Sequence, residues 1–242
     1  MLTTEVFFPP LLVSVVRSLD SPRIADYQRV SMEGYKRNQV EEAIFRTLGA
    51  EDARADEVRF RLKRLLVADR QAKLDDDEPR YAFFGEEPPG SGAEVMFSSY
   101  EAFAILAGIM LLEHGLPQAT VVKVMRQVRR DFEAEHARIL KLDPKVLFDR
   151  QAILAEAKAG MLAVDNTDPV FLAIARLTGS SVDSAATPAA AVCRGQAALL
   201  SFIKKRSQIG LGATFFEFVG LMHRMAENLS RTRPIKRGRG VG

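Results

Sequence analysis

The stretch from Phe97 to Asp131 restricts the fold more than any other part of the chain. Ser98-x-x-Glu101 is a capping box, in which the serine and glutamate side chains each satisfy a free backbone N–H at a helix start. It opens a helix from 99 to about 113 that Gly115 ends. Leu116-Pro117 starts another, from about 118 to 141, with Val121, Val124, Met125, Val128, Phe132 and Ile139 along one face. Similar punctuation recurs on both sides. Asn38-x-x-Glu41 opens a helix over about 39–48 that Gly49 stops, and a second helix runs from 54 to 69 with Val58, Leu62, Leu65 and Leu66 on one face. Asp143-Pro144 leads into a helix near 145–163, Asp168-Pro169 into 170–178 and Thr187-Pro188 into 189–207, because an N-cap acceptor followed by proline suits a first turn. A last helix covers 213–230. The expected fold class is mainly α.

Composition narrows the chemistry. The chain has 242 residues and a single cysteine, Cys193, so it has neither an internal disulfide nor a multi-cysteine zinc site, and its length allows an ample core without such staples. Cys193 follows an alanine-rich run and reads as a small buried apolar residue. The net charge is +3, yet five cations and no acid lie in the last twelve residues. Without them 29 basic residues face 31 acidic ones, so the body is nearly neutral. Val6–Val16 is apolar, but no lysine or arginine precedes it and Pro9-Pro10 interrupts it, unlike a signal peptide. It is also too short to span a bilayer. It reads as an arm that docks on the core or on a partner chain, in a soluble, cytoplasmic protein with no membrane contact.

Enzyme motifs are absent: no GxSxG, GxxxxGK[ST], HExxH or CxxC occurs, and no strand precedes Gly210-Leu-Gly212. His136, with Glu133 and Glu135 nearby, reads as part of a solvated face, and His114 as a helix C-terminal residue that complements the dipole. Asp75–Glu78 lacks the alternation of a calcium loop. A non-catalytic protein without cofactor or metal is expected.

Element order is more informative. Over 38–97 it runs helix, short turn, helix, then two strand-like pieces, Tyr81–Phe84 and Glu94–Phe97, around a turn-rich loop. This is the order of a winged helix-turn-helix, in which the second helix enters the major groove and a small hairpin reaches the backbone. At 100° per residue, Arg59, Lys63 and Arg70 cluster about a quarter turn from the apolar seam of that helix, with Arg64 further round. Lys123, Arg126 and Arg130 project from other faces of the long helix after Pro117. With the helical pair joined at Gly115-Leu-Pro117, residues 38–140 resemble MerR-type regulators. The resemblance implies that Val40–Leu48 and Ala55–Leu66 form a helix-turn-helix, that Tyr81–Phe97 is the wing, and that 99–140 supplies a second helical pair and the start of a linker helix. It further implies a DNA-binding transcription regulator.

The terminus Arg233-Pro-Ile-Lys236-Arg237-Gly-Arg239-Gly240 places cations on a Pro/Gly backbone, resembles the Arg-Gly-Arg core of AT-hook segments, and suits phosphates or a minor groove. The expected organisation is an apolar N-terminal arm (1–37), a winged-helix-like unit with its second helical pair (38–142), a helical unit (143–230) for dimerisation or effector sensing, and a basic flexible tail (231–242). Two functions fit. One is a homodimeric regulator that binds double-stranded DNA through Arg59, Lys63, Arg64, Arg70, Lys123, Arg126, Arg130, Arg233, Lys236, Arg237 and Arg239. The other is a non-catalytic interaction protein that binds a partner through Val6–Val16 or the Phe215–Phe218 cluster.

Overall fold

The central helix of the protein is apolar on every side. The structure, a computed structural model, describes residues 34–49, 54–72, 79–88, 94–157, 161–177, 188–206 and 211–234. Its N-terminal helices are α1 (Arg37–Leu48), α2 (Ala55–Gln71), α3 (Ser99–Glu113) and α4 (Gln118–Ile139). A helix without a polar face has to be covered all round. Accordingly α1, α2 and α4 pack around α3, whose residues from Tyr100 to Ile109 are all buried. The Ser98–Glu101 capping box is formed as expected, Gly115 follows α3 with φ +81°, and Gly49 closes α1 in the left-handed region. Helix α1 begins two residues earlier than its Asn38 signal, where the Gln39 side-chain carbonyl accepts from the Lys36 backbone N–H at 3.1 Å.

Beyond α4 the chain departs from an all-helical reading. Two short helices, α5 (Pro144–Leu147) and α6 (Arg150–Glu156), replace the helix expected near 145–163. Val170–Leu177 is a strand, β3, not a helix, and Ala189–Arg194 is a strand, β4, before α7 (Gly195–Arg206). Leu211–Glu217 is β5, so only Val219–Arg231 of the expected last helix is helical, as α8. The strands form an antiparallel sheet in the order β4-β3-β5, with Leu172 opposite both Val192 and Phe216. The physical reason is burial on both faces. Val170, Leu172 and Ile174 face the main core, whereas Phe171 and Ala173 join Cys193 and Leu199 under α7. A strand buried this way reads as an unbroken apolar run, which periodicity does not separate from a buried helix.

The wing is the other correction. Met96–Phe97 (β2) pairs antiparallel with Tyr35–Lys36 (β1), not with Tyr81–Phe84, which is irregular. The expected hairpin does not form between those two pieces.

One core runs through the molecule from Tyr35 to Leu229, across the 142/143 boundary suggested by the sequence. At its centre the rings of Phe103, Phe132 and Phe218 meet edge to face, with centroids 5.2–5.6 Å apart. His136 stacks on Phe103 at 5.1 Å and is buried, not on a solvated face; burial lowers its pKa to about 4, helped by repulsion from His223. Helix α8 lies against α1, and Thr232, within the expected tail, is buried, its carbonyl accepting from Gln39 Nε2. No helix among the described residues is long and apolar enough to cross a membrane.

Candidate nucleic-acid interface

Helix α2 is set against α4 by a charge that the sequence places on its apolar seam. Asp69 lies eleven, seven and four residues after Val58, Leu62 and Leu65, so it points inward with them. Its side chain is completely buried. One carboxylate oxygen accepts from Arg126 Nε and Nη2 at 3.1 and 3.0 Å, and the pair of oxygens accepts from the backbone N–H groups of Ala82 and Phe83 at 2.8–2.9 Å. Arg129, three residues further along α4, donates to the carbonyls of Tyr81 and Ala82 at 2.9 and 3.0 Å. The Ala82 and Phe83 N–H groups and the Tyr81 and Ala82 carbonyls are therefore paired with a carboxylate and a guanidinium instead of a neighbouring strand. That is why these aromatic residues look strand-like in sequence yet form no hairpin.

Burying the Asp69 side turns the opposite face of α2 to solvent. Phe60, Arg64, Val67 and Gln71 follow at i, i+4, i+7 and i+11, which keeps them on one stripe. Phe60 is 58% exposed and Val67 44%, unusual for apolar side chains on a helix otherwise charged outside. The Arg64 guanidinium lies 5.4 Å from the Phe60 ring centroid, a cation–π contact that steadies it. Gln118, at the start of α4, donates to the Arg64 carbonyl. Between α2 and this end of α4 runs an open groove of about 480 Å³, lined by the stripe together with Lys63, Ala68, Gln118 and Ala119.

The cations divide along α2. In its N-terminal half they are paired: Arg54 with Glu113, Arg59 with Asp56 at 2.9 Å, and Arg61 with Glu57 and Glu113. In its C-terminal half Lys63, Arg64 and Arg70 are exposed and form no ion pair among the described residues, Arg70 resting on the Phe84 ring at 5.2 Å. On α4, Ala119, Lys123, Arg126 and Arg130 follow one another along one flank; Ala119 lines the groove and Arg126 reaches Asp69. Lys123 is half-buried and Arg130 exposed.

Of the residues expected to contact DNA, the structure thus brings Lys63, Arg64 and Arg70 onto the exposed side of α2, while Lys123 and Arg130 lie on α4. Arg59 shares that face of α2 but is paired. Arg126 is a correction: it is 3% exposed and committed to Asp69, so it cannot reach a phosphate. Arg233 is exposed just beyond α8, and Lys236, Arg237 and Arg239 lie outside the described residues, as does Val6–Val16. The Phe215–Phe218 cluster is not a patch, because Phe216 and Phe218 are buried and only Phe215 is exposed. Sequence reasoning missed Asp69, Arg129, Phe60 and Val67. For Asp69 a signal existed in its angular position on the seam.

The chain matches no protein-family model, and comparisons with curated proteins and with solved structures gave no match.

Proposed function

We propose that the chain is a regulator that binds double-stranded DNA, with α1–α2 as a helix-turn-helix and the outer face of α2 lying in the major groove. The observation behind this reading is the division of charge on α2: Lys63, Arg64 and Arg70 share the exposed C-terminal half and have no carboxylate among the described residues to neutralise them. Unpaired cations on one face are what phosphates attract, through release of condensed counterions. Lys123 and Arg130 supply further cations on α4. Only the helical part of the layout that resembles MerR-type regulators, without its wing, supports the regulatory role, and the near-neutral body makes the local surface the source of attraction rather than net charge.

The test is binding of the full chain to a pool of random-sequence duplexes, followed by fluorescence anisotropy from low to physiological salt. Binding should weaken steeply with salt. Replacing Lys63, Arg64 and Arg70 together by alanine should reduce affinity and lower the salt slope by about one for each phosphate that is no longer neutralised. Arg59→Ala, which removes a paired cation, should have the smaller effect. Absence of duplex binding at low salt, or an unchanged affinity in the triple variant, overturns the proposal.

A further inference from the structure

Phosphate contact alone does not account for the stripe at the middle of the exposed face of α2. A surface that only holds phosphates needs cations, yet here two apolar side chains, Phe60 and Val67, stand in the open, alternating along the stripe with Arg64 and Gln71. Lys63, Arg70 and Arg59 lie to one side of that stripe, about 60–100° round the helix from its centre. A helix in the major groove presents its central stripe to base edges and its flanks to the backbone. Apolar groups on such a stripe meet thymine methyls, an arginine fork matches the two acceptors of guanine, and a glutamine amide matches adenine.

We infer that this stripe reads sequence. Resting on the DNA-binding reading above, the assignment gives Arg64 a guanine and Gln71 an adenine, sets Phe60 and Val67 against thymine methyls, and leaves Lys63 and Arg70 on the phosphates. The Phe60 ring beneath the Arg64 guanidinium holds the fork in one orientation, which limits the freedom given up when it pairs with a base. Spacing follows from helix geometry. Seven residues separate Arg64 from Gln71, about 10 Å of rise, so with α2 lying along the groove the two bases stand about three steps apart.

The experiment is selection and sequencing of bound duplexes from a random library with the full chain, repeated for Arg64→Ala, Gln71→Ala and Lys63→Ala. These side chains are exposed, and circular dichroism checks that each variant folds. The wild-type chain should enrich a short site holding a guanine and an adenine about three positions apart. Arg64→Ala should flatten preference at the guanine by about tenfold or more and leave the adenine unchanged, with Gln71→Ala doing the reverse. Lys63→Ala should weaken all sequences evenly. If the wild-type chain binds duplexes without preference, or Arg64→Ala weakens all sequences evenly, the stripe does not read bases although the DNA-binding proposal stands. If no duplex is bound, both fail.

Discussion

Replacing Asp69 by alanine tests the reasoning about how α2 is held. The carboxylate is fully buried, is the acidic partner of an arginine only 3% exposed, and accepts from two backbone N–H groups. Removing one member of a buried ion pair costs about 3–5 kcal/mol, since the other charge stays in a low-dielectric site. Each buried donor left without an acceptor adds about 1–3 kcal/mol. The losses overlap, because Arg126 Nη2 also donates to the main-chain carbonyl of residue 69 at 2.6 Å, a bond that alanine keeps. We therefore expect Asp69→Ala to lose about 5 kcal/mol, the scale of a whole domain's stability. Asp69→Asn keeps one acceptor and should lose about half as much. Urea unfolding followed by far-ultraviolet circular dichroism measures the loss. Hydrogen exchange at Ala82 and Phe83 locates it, and both amides should exchange faster in Asp69→Asn. Adding Arg126→Met to Asp69→Ala should recover part of the stability by removing the stranded charge. A loss under about 1 kcal/mol in Asp69→Ala would refute the account, as would unchanged protection of the two amides in Asp69→Asn.

Three further outcomes follow from the core. His136 titrates near 6.5 when unfolded and near 4 when folded, so the unfolded state binds the extra proton between those values. Stability should be full above about pH 6.5 and fall by about 3 kcal/mol on acidification towards pH 4. His136→Phe should flatten most of this dependence in urea midpoints, leaving a smaller slope from His223, whose pKa burial also lowers. In Gly108→Ala the new Cβ would lie 2.9 Å from Phe83 Cζ and 3.2 Å from Leu65 Cδ1, both fully buried. Overpacking of about 1–3 kcal/mol should exceed the helix-propensity gain of about 1 kcal/mol, lowering the Tm by a few degrees; a rise in Tm would contradict the packing. Cys193 is buried and its thiol pKa is raised by that burial, so a thiol reagent should modify the native protein far more slowly than the urea-unfolded chain.

Helices α1 to α3 were legible because local signals mark them: Ser98 and Glu101 at the start of α3, Gly49 and Gly115 after α1 and α3, and on α2 a seam of Val58, Leu62, Leu65 and Leu66 that is buried as its spacing requires. The sheet was not, and its residues show why. Ala189–Cys193 is rich in alanine, the best helix former, and adopts a strand only because β3 and α7 are there to pack against. Asp168-Pro169 has the look of a helix start. In the fold the Asp168 carboxylate instead bridges Arg138 and Arg194, from α4 and the end of β4. A local signal was present in both places, and a distant partner overrode it.

The candidate interface shows the same limit in its charges. Arg59 has Asp56 three residues before it and Arg61 has Glu57 four before it, so their pairing can be read from spacing on a helix. Lys63, Arg64 and Arg70 have no acid at those offsets, and the structure leaves them exposed without an ion pair among the described residues. Arg126 also lacks an acid at those offsets. By the local rule it belongs with them, and by burial it does not, because its partner lies 57 residues away on another helix. A cation without a helical neighbour has two opposite fates, an open surface or a buried long-range pair. Only the packing of α2 on α4 assigns them. That packing places Asp69 inward and its neighbour Arg70 outward, so the contact that removes Arg126 from the surface also fixes which face of α2 is offered to a ligand.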